Sequence, residues 1–286
     1  MPPGSGAMPE LPEVETIRRD LGKEIVGRKV RSVDVNGARS VRRHADPEEF
    51  RSRLQGRTIA AVRRSGKYLL ADLDSGDVLV VHLGMSGQLL RVVSPKEPIA
   101  RHTHVIISFA GAGQVRFVDP RTFGELFVTA PGDVADAVPE LAHLGFDPLD
   151  DVLSWGVFGQ LLTARRVALK TLLTDQRFVA GIGNIYADEI LFAAGLRFDR
   201  RTDTLSVQEI RRLYRSMVET LADAVKHRGS SLADEQYRDL YGEVGDYQGQ
   251  HQVYDREGQA CRRCRHPISR VKVAGRSTYY CERCQV

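Results

Sequence analysis

The sequence predicts an α+β fold, and three observations indicate it. The first half of the 286-residue chain alternates apolar and polar residues in short runs, whereas the second half has apolar residues at helical spacing. All four cysteines lie at the carboxyl end as two Cys-x-x-Cys pairs. We therefore expect a strand-rich domain over 8–138, a helical domain over 150–250 and a cysteine module over 251–286.

The strand-rich domain is predicted to begin with a helix. Val14, Ile17 and Leu21 recur at helical spacing, which indicates a helix over about 13–21, and a second helix is predicted over 47–54. Gly, Asp and Ser turns separate the short strands, as in a sandwich or a flattened barrel. The predicted strands cover 29–35, 58–64, 67–73, 78–83, 104–109 and 114–118.

The helical domain has three candidate helices, over 165–173, 185–194 and 207–227. The third has the strongest signals, because Ser206 and Glu209 can form a capping box at its start. Its apolar stripe consists of Ile210, Leu213, Met217, Leu221 and Val225.

The cysteine module has the spacing of a metal site. Sixteen residues separate the two Cys-x-x-Cys pairs, as in zinc sites with two ligand pairs. Four thiolates leave no open coordination position, so we expect one structural Zn2+ and a β-hairpin between the pairs. A redox role for the pairs is the alternative. The ligands would be Cys261, Cys264, Cys281 and Cys284.

The positive charge is concentrated in this module. The chain has a net charge of +4, and the segment from Cys261 onward holds seven Lys or Arg residues against one acid. Such a surface is typical of proteins that bind a polyanion, although a solvated basic face without a partner is the alternative. No apolar run approaches the ~18–20 residues of a membrane span, and no secretory signal opens the chain.

Pro9 and Glu10 are the candidate catalytic pair. Removal of an initiator Met8 would leave the secondary amine of Pro9 as a nucleophile beside a carboxylic acid. An α-amino group titrates near ~8, against ~10.4 for lysine, so part of it is unprotonated at neutral pH. Such an amine can attack a sugar carbon and hold it as an imine. Prolines that merely punctuate a chain start are the alternative.

Residues 1–7 conflict with this chemistry, because a Pro9 that is joined to Met8 has no amine. The Pro, Gly and Ser residues of this segment contribute almost nothing to a core. We therefore expect a disordered leader or tag, from a misassigned start or an addition to the chain.

Six segments stand in a fixed order along the chain: Pro9-Glu10-Leu11-Pro12-Glu13-Val14-Glu15, Gly66-Lys67-Tyr68-Leu69, His82-Leu83-Gly84-Met85-Ser86-Gly87, Asp119-Pro120-Arg121-Thr122-Phe123-Gly124, Gly181-Ile182-Gly183-Asn184-Ile185-Tyr186-Ala187-Asp188-Glu189 and the cysteine module. Together they resemble the bacterial formamidopyrimidine-DNA glycosylases, from Met8 to Cys284. The resemblance implies an N-terminal β-sandwich, a helix-two-turn-helix domain and a zinc hairpin, which grip duplex DNA in a cleft. It also implies a bifunctional glycosylase and AP lyase of base excision repair. Its substrates would be oxidised purines, chiefly 8-oxoguanine and formamidopyrimidines, opposite cytosine.

The resemblance implies a catalytic role for four residues. Pro9 would form a Schiff base with C1′ of the damaged nucleotide, and Glu10 would protonate the sugar oxygen and shuttle protons. Lys67 matches the lysine that is assigned to β-elimination and phosphate contact. Arg276 matches the arginine that is tied to δ-elimination, with phosphate binding as its main contribution.

The resemblance also implies residues that handle the DNA. The damaged base must be flipped out at a cost of about a few kcal/mol, and Met85, Arg121 and Phe123 would refill the stack. In an unrelated protein, Met85 and Phe123 would more often be core residues. Further DNA contacts are implied at His102 and Arg121. Asn184 lies in a Gly-rich turn between helices, where it could approach a phosphate, with a helix cap as the alternative. His82 is a further candidate for a DNA contact.

Two basic residues are candidates on spacing alone. Arg166 and Lys170 lie one turn apart in a predicted helix, so they could share a phosphate-facing side; a solvated basic face is the alternative. His102 and His104 would share one face of a strand, but they lack a third ligand for a metal.

The chain departs from the family pattern at two places besides the leader. Thr122 stands where many members have a second basic residue, and the base-capping region over 230–250 is longer than usual. One alternative is therefore an oxidised-pyrimidine glycosylase of the endonuclease VIII kind. The other is a non-catalytic lesion-binding protein, if the leader is retained. We expect a monomer that binds no membrane, in the bacterial cytoplasm and associated with the nucleoid.

Overall fold

The computed structural model describes residues 8–111, 113–233 and 236–286. The expected disordered leader over 1–7 lies outside the described residues.

The chain forms two compact units. The helical domain was predicted over 150–250, but the segment after its longest helix, Arg228–Asp246, belongs to the strand-rich unit. The first unit is Met1–Ala142 with Arg228–Asp246, and the second is His143–His227 with Tyr247–Val286.

The strands of the first unit form a β-sandwich. They are β1 (Val30–Val35), β2 (Ile59–Ser65), β3 (Tyr68–Leu73), β4 (Val78–His82), β5 (Gln88–Val92), β6 (Thr103–Phe109), β7 (Gly113–Val118) and β8 (Glu125–Thr129). Within the described residues they make two antiparallel sheets, in the orders β1-β6-β7-β5 and β2-β3-β4-β8. Buried side chains of both sheets, such as Val33, Phe117, Leu69 and Val81, form one hydrophobic core.

The six predicted strands are confirmed, but β5 and β8 were missed. The burial pattern of β5 is irregular, which obscures its alternation. The first four residues of β8 are all buried, as are those of the predicted strand β4, so burial alone does not explain why β8 was missed.

The helices of the first unit are α1 (Leu11–Ile25), α2 (Pro47–Leu54), α3 (Val134–Ala137) and α4 (Pro139–Ala142). The helix predicted from Val14, Ile17 and Leu21 is confirmed, and these side chains pack α1 into the core of the sandwich. The helix runs beyond the predicted end because Ile25 is also buried in this core. That burial outweighs the low helix propensity of Gly22.

The helices of the second unit are α5 (Trp155–Thr163), α6 (Leu169–Leu173), α7 (Asn184–Ala194) and α8 (Val207–Lys226). The capping box of Ser206 and Glu209 forms as predicted. The predicted helix over 165–173 begins only at Leu169. Before it, Ala168 pairs with Arg201 in an isolated bridge, which holds the backbone extended.

The end of the second unit is the predicted hairpin, made of β9 (Ser269–Val273) and β10 (Arg276–Tyr280). Ala274 and Gly275 form the two-residue turn, and both have positive φ, as the tightest hairpin turns require. In the described part of the chain, no helix has both the length and the apolar surface to cross a bilayer.

Candidate functional site

Pro9 and Glu10 lie buried at the amino end of α1. The carboxylate of Glu13, which is itself buried, accepts the N–H of Glu10 at 2.8 Å through Oε2. Its Oε1 accepts the N–H of Ser230 at 2.8 Å. One carboxylate therefore fixes both the start of the helix and the segment that follows α8.

A buried ion pair joins α1 to the turn that carries Lys67. Glu15 Oε2 lies 3.1 Å from Nε of Arg64, whose side chain is completely buried. Nη1 of Arg64 donates to the carbonyl oxygen of Gly66 at 3.2 Å. Because Gly66 precedes Lys67, the pair connects the helix that begins beside Pro9 with the backbone at the candidate lysine.

Glu15 should make stability depend on pH. Burial alone would raise the pKa of Glu15, but hydrogen bonds from Arg18 and Arg19 and the charge of Arg64 lower it from 4.5 to about 2. A lowered folded-state pKa means that the stabilisation is complete above the unfolded value and is lost as the pH falls toward 2. The shift corresponds to at most about 3 kcal/mol, and to about 2 kcal/mol after allowance for the exposure of the arginines.

Glu15→Gln is therefore expected to lower the free energy of unfolding by about 2 kcal/mol at pH 7 and by much less near pH 2.5. Urea unfolding at a series of pH values measures the difference from the unchanged protein. Equal losses at both ends of this range would contradict the assigned ion pair.

The candidate stack-filling residues lie on two loops of the first unit. Met85, on the loop between β4 and β5, is half-buried. Arg121 and Phe123, on the loop between β7 and β8, are exposed, and the Arg121 guanidinium lies 5.0 Å from the centroid of the Phe123 ring. A ring that is 46% exposed is not a core side chain, which removes the alternative interpretation of Phe123.

The two candidate histidines differ in environment. His82, at the end of β4, stacks on Tyr68 at a centroid distance of 4.5 Å, and burial lowers the pKa of His82 to about 4. Its ring is therefore neutral at physiological pH. His102 has φ of 65° just before β6 and is half-buried. Among the described residues, His102 and His104 belong to no group of three or more metal ligands.

Lys170 lies inside the second unit, which corrects one prediction. Its Nζ is 2.7 Å from Oδ1 of Asp188 and donates to Oγ1 of Thr278 at 2.8 Å and to the carbonyl of Ser277 at 3.1 Å. Arg166, by contrast, precedes α6, and its side chain is 81% exposed. The expectation that these two residues share a phosphate-facing side of one helix is wrong, because α6 begins after Arg166 and Asp188 holds the ammonium of Lys170 inside.

Lys170 and Asp188 also anchor the hairpin, together with Asn184. Asn184, the first residue of α7, donates Nδ2 to the carbonyl of Ser277 at 2.8 Å. Asp188 Oδ2 accepts the N–H of Tyr279 at 2.9 Å; burial raises the pKa of Asp188, against the opposing charge of Lys170. Arg276, one residue before Ser277, is exposed at the hairpin turn.

The four cysteines fit a zinc ion. The sulfur atoms of Cys261, Cys264, Cys281 and Cys284 all lie within 4.8 Å of one another. Cys261 and Cys284 are 3.8 Å apart, and Cys264 and Cys281 are 3.4 Å apart. A tetrahedral site with Zn–S bonds of ~2.3 Å requires sulfur separations of ~3.8 Å. The residues therefore hold one Zn2+ with no open position, in a structural role.

Sequence reasoning missed several residues that organise these sites. Glu13, Glu15 and Asp119 stand within recognised segments, but nothing in their spacing marks them as buried. Arg64 is a charged residue of a type that is rarely fully buried, so its residue type gives no sign of its burial. Only the contacts of these side chains identify them.

Comparison with known proteins covers nearly the whole chain. Three family models match, described as the formamidopyrimidine-DNA glycosylase N-terminal domain over 8–126, the H2TH domain of the same glycosylase over 144–236 and a zinc finger found in FPG and IleRS over 258–286. Formamidopyrimidine-DNA glycosylase of Geobacillus kaustophilus is 43% identical, over 97% of this chain and 100% of that protein. The enzyme of Pelotomaculum thermopropionicum is 41% identical, over 97% and 99%.

Solved structures are similar over the same extent. The MutM (Fpg) protein of Thermus thermophilus has a TM-score of 0.84 and 42% identity, over 97% of this chain and 98% of that chain. Lactococcus lactis Fpg, solved in complex with DNA that contains an abasic site, has a TM-score of 0.86 and 34% identity, over 96% and 99%. Each of these matches covers at least 96% of this chain and at least 98% of the relative. The chain therefore belongs to the formamidopyrimidine-DNA glycosylase family.

Proposed function

We propose that the protein is a bifunctional DNA glycosylase and AP lyase of base excision repair. It excises oxidised purines, 8-oxoguanine and formamidopyrimidines, from duplex DNA. The observation that carries the proposal is full-length membership of the family together with Pro9 and Glu10 at the start of α1. Similar structures contain DNA with carbocyclic 8-oxoguanine or with a formamidopyrimidine lesion.

The reaction begins at Pro9. Once the residues before Pro9 have been removed, its nitrogen attacks C1′ of the damaged nucleotide, the bond from C1′ to the base breaks, and the base leaves with a proton. Glu10 protonates the sugar ring oxygen, so that the ring opens to an iminium. The iminium makes the adjacent sugar protons acidic. Loss of protons then expels the 3′ phosphate by β-elimination and the 5′ phosphate by δ-elimination.

Two basic residues act on the phosphates in this scheme. Lys67 contacts phosphate and supports β-elimination, and its turn is held to α1 through Arg64 and Glu15. Arg276 stabilises phosphate charge during δ-elimination. Its position at the hairpin turn follows from the anchoring of Ser277 by Lys170 and Asn184.

The protein binds DNA through phosphate contacts and through three side chains that enter the base stack. We call these three residues, Met85, Arg121 and Phe123, the wedge. The wedge fills the space of the flipped base, with Arg121 on the orphaned partner base. His102, Asn184 and Arg166 contact phosphates. His82 also contacts phosphate. Its ring is neutral there, because burial lowers the pKa of His82 to about 4. Lys170 supports the hairpin from inside.

The protein acts as a monomer in the bacterial cytoplasm, on the nucleoid. Its relatives are bacterial, and chromosomal DNA is the polymer in which oxidised purines arise. Thiolate ligands for zinc suit a reducing compartment.

A comparison of two substrates tests the proposal. We expect single-turnover cleavage of a duplex with 8-oxoguanine opposite cytosine to be at least about 10-fold faster than cleavage of one with a pyrimidine glycol opposite adenine, a difference of about 1.4 kcal/mol in the barrier. Affinity for an uncleavable abasic duplex should fall steeply with salt, since phosphate contacts release counterions. Faster cleavage of the pyrimidine glycol would support the endonuclease VIII-like alternative, and retention of residues 1–7 with no cleavage would support the lesion-binding alternative.

A further inference from the structure

The wedge residues lie on two loops, between β4 and β5 and between β7 and β8, which we call the wedge loops. The buried carboxylate of Asp119, which has no role in the scheme above, joins them. Asp119 is completely buried at the end of β7, immediately before the loop that carries Arg121. Its Oδ1 accepts the hydroxyl of Ser86 at 2.5 Å and the N–H of Arg121 at 3.2 Å. Its Oδ2 accepts the N–H of Gly124 at 2.8 Å.

These bonds connect both parts of the wedge. Ser86 follows Met85 directly, and its hydroxyl oxygen also lies 3.3 Å from the N–H of Arg121. The N–H groups of Arg121 and Gly124 bracket the exposed part of the other loop. One carboxylate and one hydroxyl therefore set the separation between Met85 and the pair of Arg121 and Phe123.

The backbones of the two wedge loops are in close contact. A Cβ atom on Gly84 would lie 2.6 Å from the backbone nitrogen of Gly124 and 2.7 Å from the carbonyl carbon of Phe123. Gly84 also has φ of +63°. The loops thus touch through backbone atoms, and the bonds to Asp119 keep them in this arrangement.

Asp119 is poorly placed for a direct role in chemistry or DNA binding. Both of its oxygens already accept protein donors, and no part of the residue is exposed. Its backbone is fixed as well, because its N–H donates to the carbonyl of His102 at 3.0 Å and its carbonyl lies 2.8 Å from Nε2 of His104. A buried carboxylate with this many donors is suited to hold other groups in place.

We propose that Asp119 and Ser86 are positioning residues for base extrusion, which lock the two loops into one rigid wedge. The inference rests on the proposed function, in which Met85, Arg121 and Phe123 enter the stack. Extrusion requires a preformed wedge, since a loop that must be ordered during insertion adds an entropic cost to the unstacking of the base. Loss of the lock should slow extrusion and leave the later chemistry nearly intact.

The test compares paired and unpaired lesions for Asp119→Asn and Ser86→Ala. Single-turnover excision of 8-oxoguanine opposite cytosine should fall about 10- to 100-fold, as expected for loss of a charge-assisted buried hydrogen bond. Excision of the same lesion from a bulge without an opposing base should fall less than about threefold, because no pair has to be broken. 2-Aminopurine beside the paired lesion should report slower unstacking by stopped-flow fluorescence.

Ser108→Ala is the matched control. Ser108 is a buried serine on β6 whose hydroxyl accepts from Gln114 at 3.1 Å, away from both wedge loops. The Ser108→Ala variant should lower thermal stability as much as Ser86→Ala does. Its excision of the paired lesion and of the bulged lesion should match that of the unchanged protein. Should Asp119→Asn not fold, Ser86→Ala alone tests the lock.

Three results separate the possibilities. Equal losses on paired and bulged lesions, or no loss on either, would overturn the positioning role. Met85→Ala should reproduce the selective loss on paired lesions; if it does so while Asp119→Asn and Ser86→Ala do not, the lock alone is wrong. If Met85→Ala also shows no selective loss while excision continues, the wedge assignment fails and the lock fails with it.

Discussion

A chain whose Pro9 remains joined to Met8 is expected to lose strand cleavage by at least roughly a thousandfold, the scale seen when an enzyme loses its nucleophile. In a peptide bond the nitrogen lone pair is delocalised into the carbonyl, so it cannot attack C1′. The comparison is between the 286-residue chain with its first eight residues retained and the same chain processed to begin at Pro9. Denaturing electrophoresis of a duplex with 8-oxoguanine measures the difference.

Binding separates a chemical effect from a structural one. Both forms should bind a duplex with an uncleavable abasic analogue with dissociation constants within about threefold of each other, because residues other than Pro9 make the phosphate contacts that supply most of the affinity. Undiminished cleavage by the extended chain would show that Pro9 is not the nucleophile. Loss of both cleavage and binding would point to misfolding of α1 instead.

Removal of zinc is expected to abolish δ-elimination and to weaken DNA binding strongly. Binding of structural zinc contributes ~10–16 kcal/mol in small modules, and the cysteine module has few apolar residues of its own to replace it. Its buried cluster is small and includes Cys261 and Cys281 themselves. Without the metal the hairpin loses its order, and Arg276 loses its position.

Zinc content, binding to the abasic analogue and the ratio of β- to δ-elimination products measure this effect after chelation. Cys281→Ser should reproduce the effect, and added Zn2+ should restore the chelated protein but not the variant. A chelated protein that keeps full affinity and full δ-elimination would show that the metal does not organise the hairpin.

The sequence was sufficient to predict features that depend on local pattern. Alternation located six strands, the capping box located α8, and the cysteine spacing located the metal site. Each of these signals lies within one continuous stretch of the chain and can be read without its tertiary contacts. β5 was missed because its burial pattern does not alternate regularly.

Features that depend on distant contacts could not be predicted. Lys170 follows a helical pattern in sequence, yet Asp188 and the hairpin draw its ammonium inside. Glu13 and Ser230 are 217 positions apart, and Asp119 and Ser86 are 33 apart. No spacing rule connects such residues, because tertiary packing brings them together.

The most direct test of the central claim is the location of the covalent bond. Borohydride reduction during reaction with a duplex that contains 8-oxoguanine should trap the Schiff base, and peptide mapping by mass spectrometry should place the DNA adduct on the terminal nitrogen of Pro9. An adduct on Lys67 or another lysine would contradict the account. So would efficient cleavage by the native protein with no trapped complex.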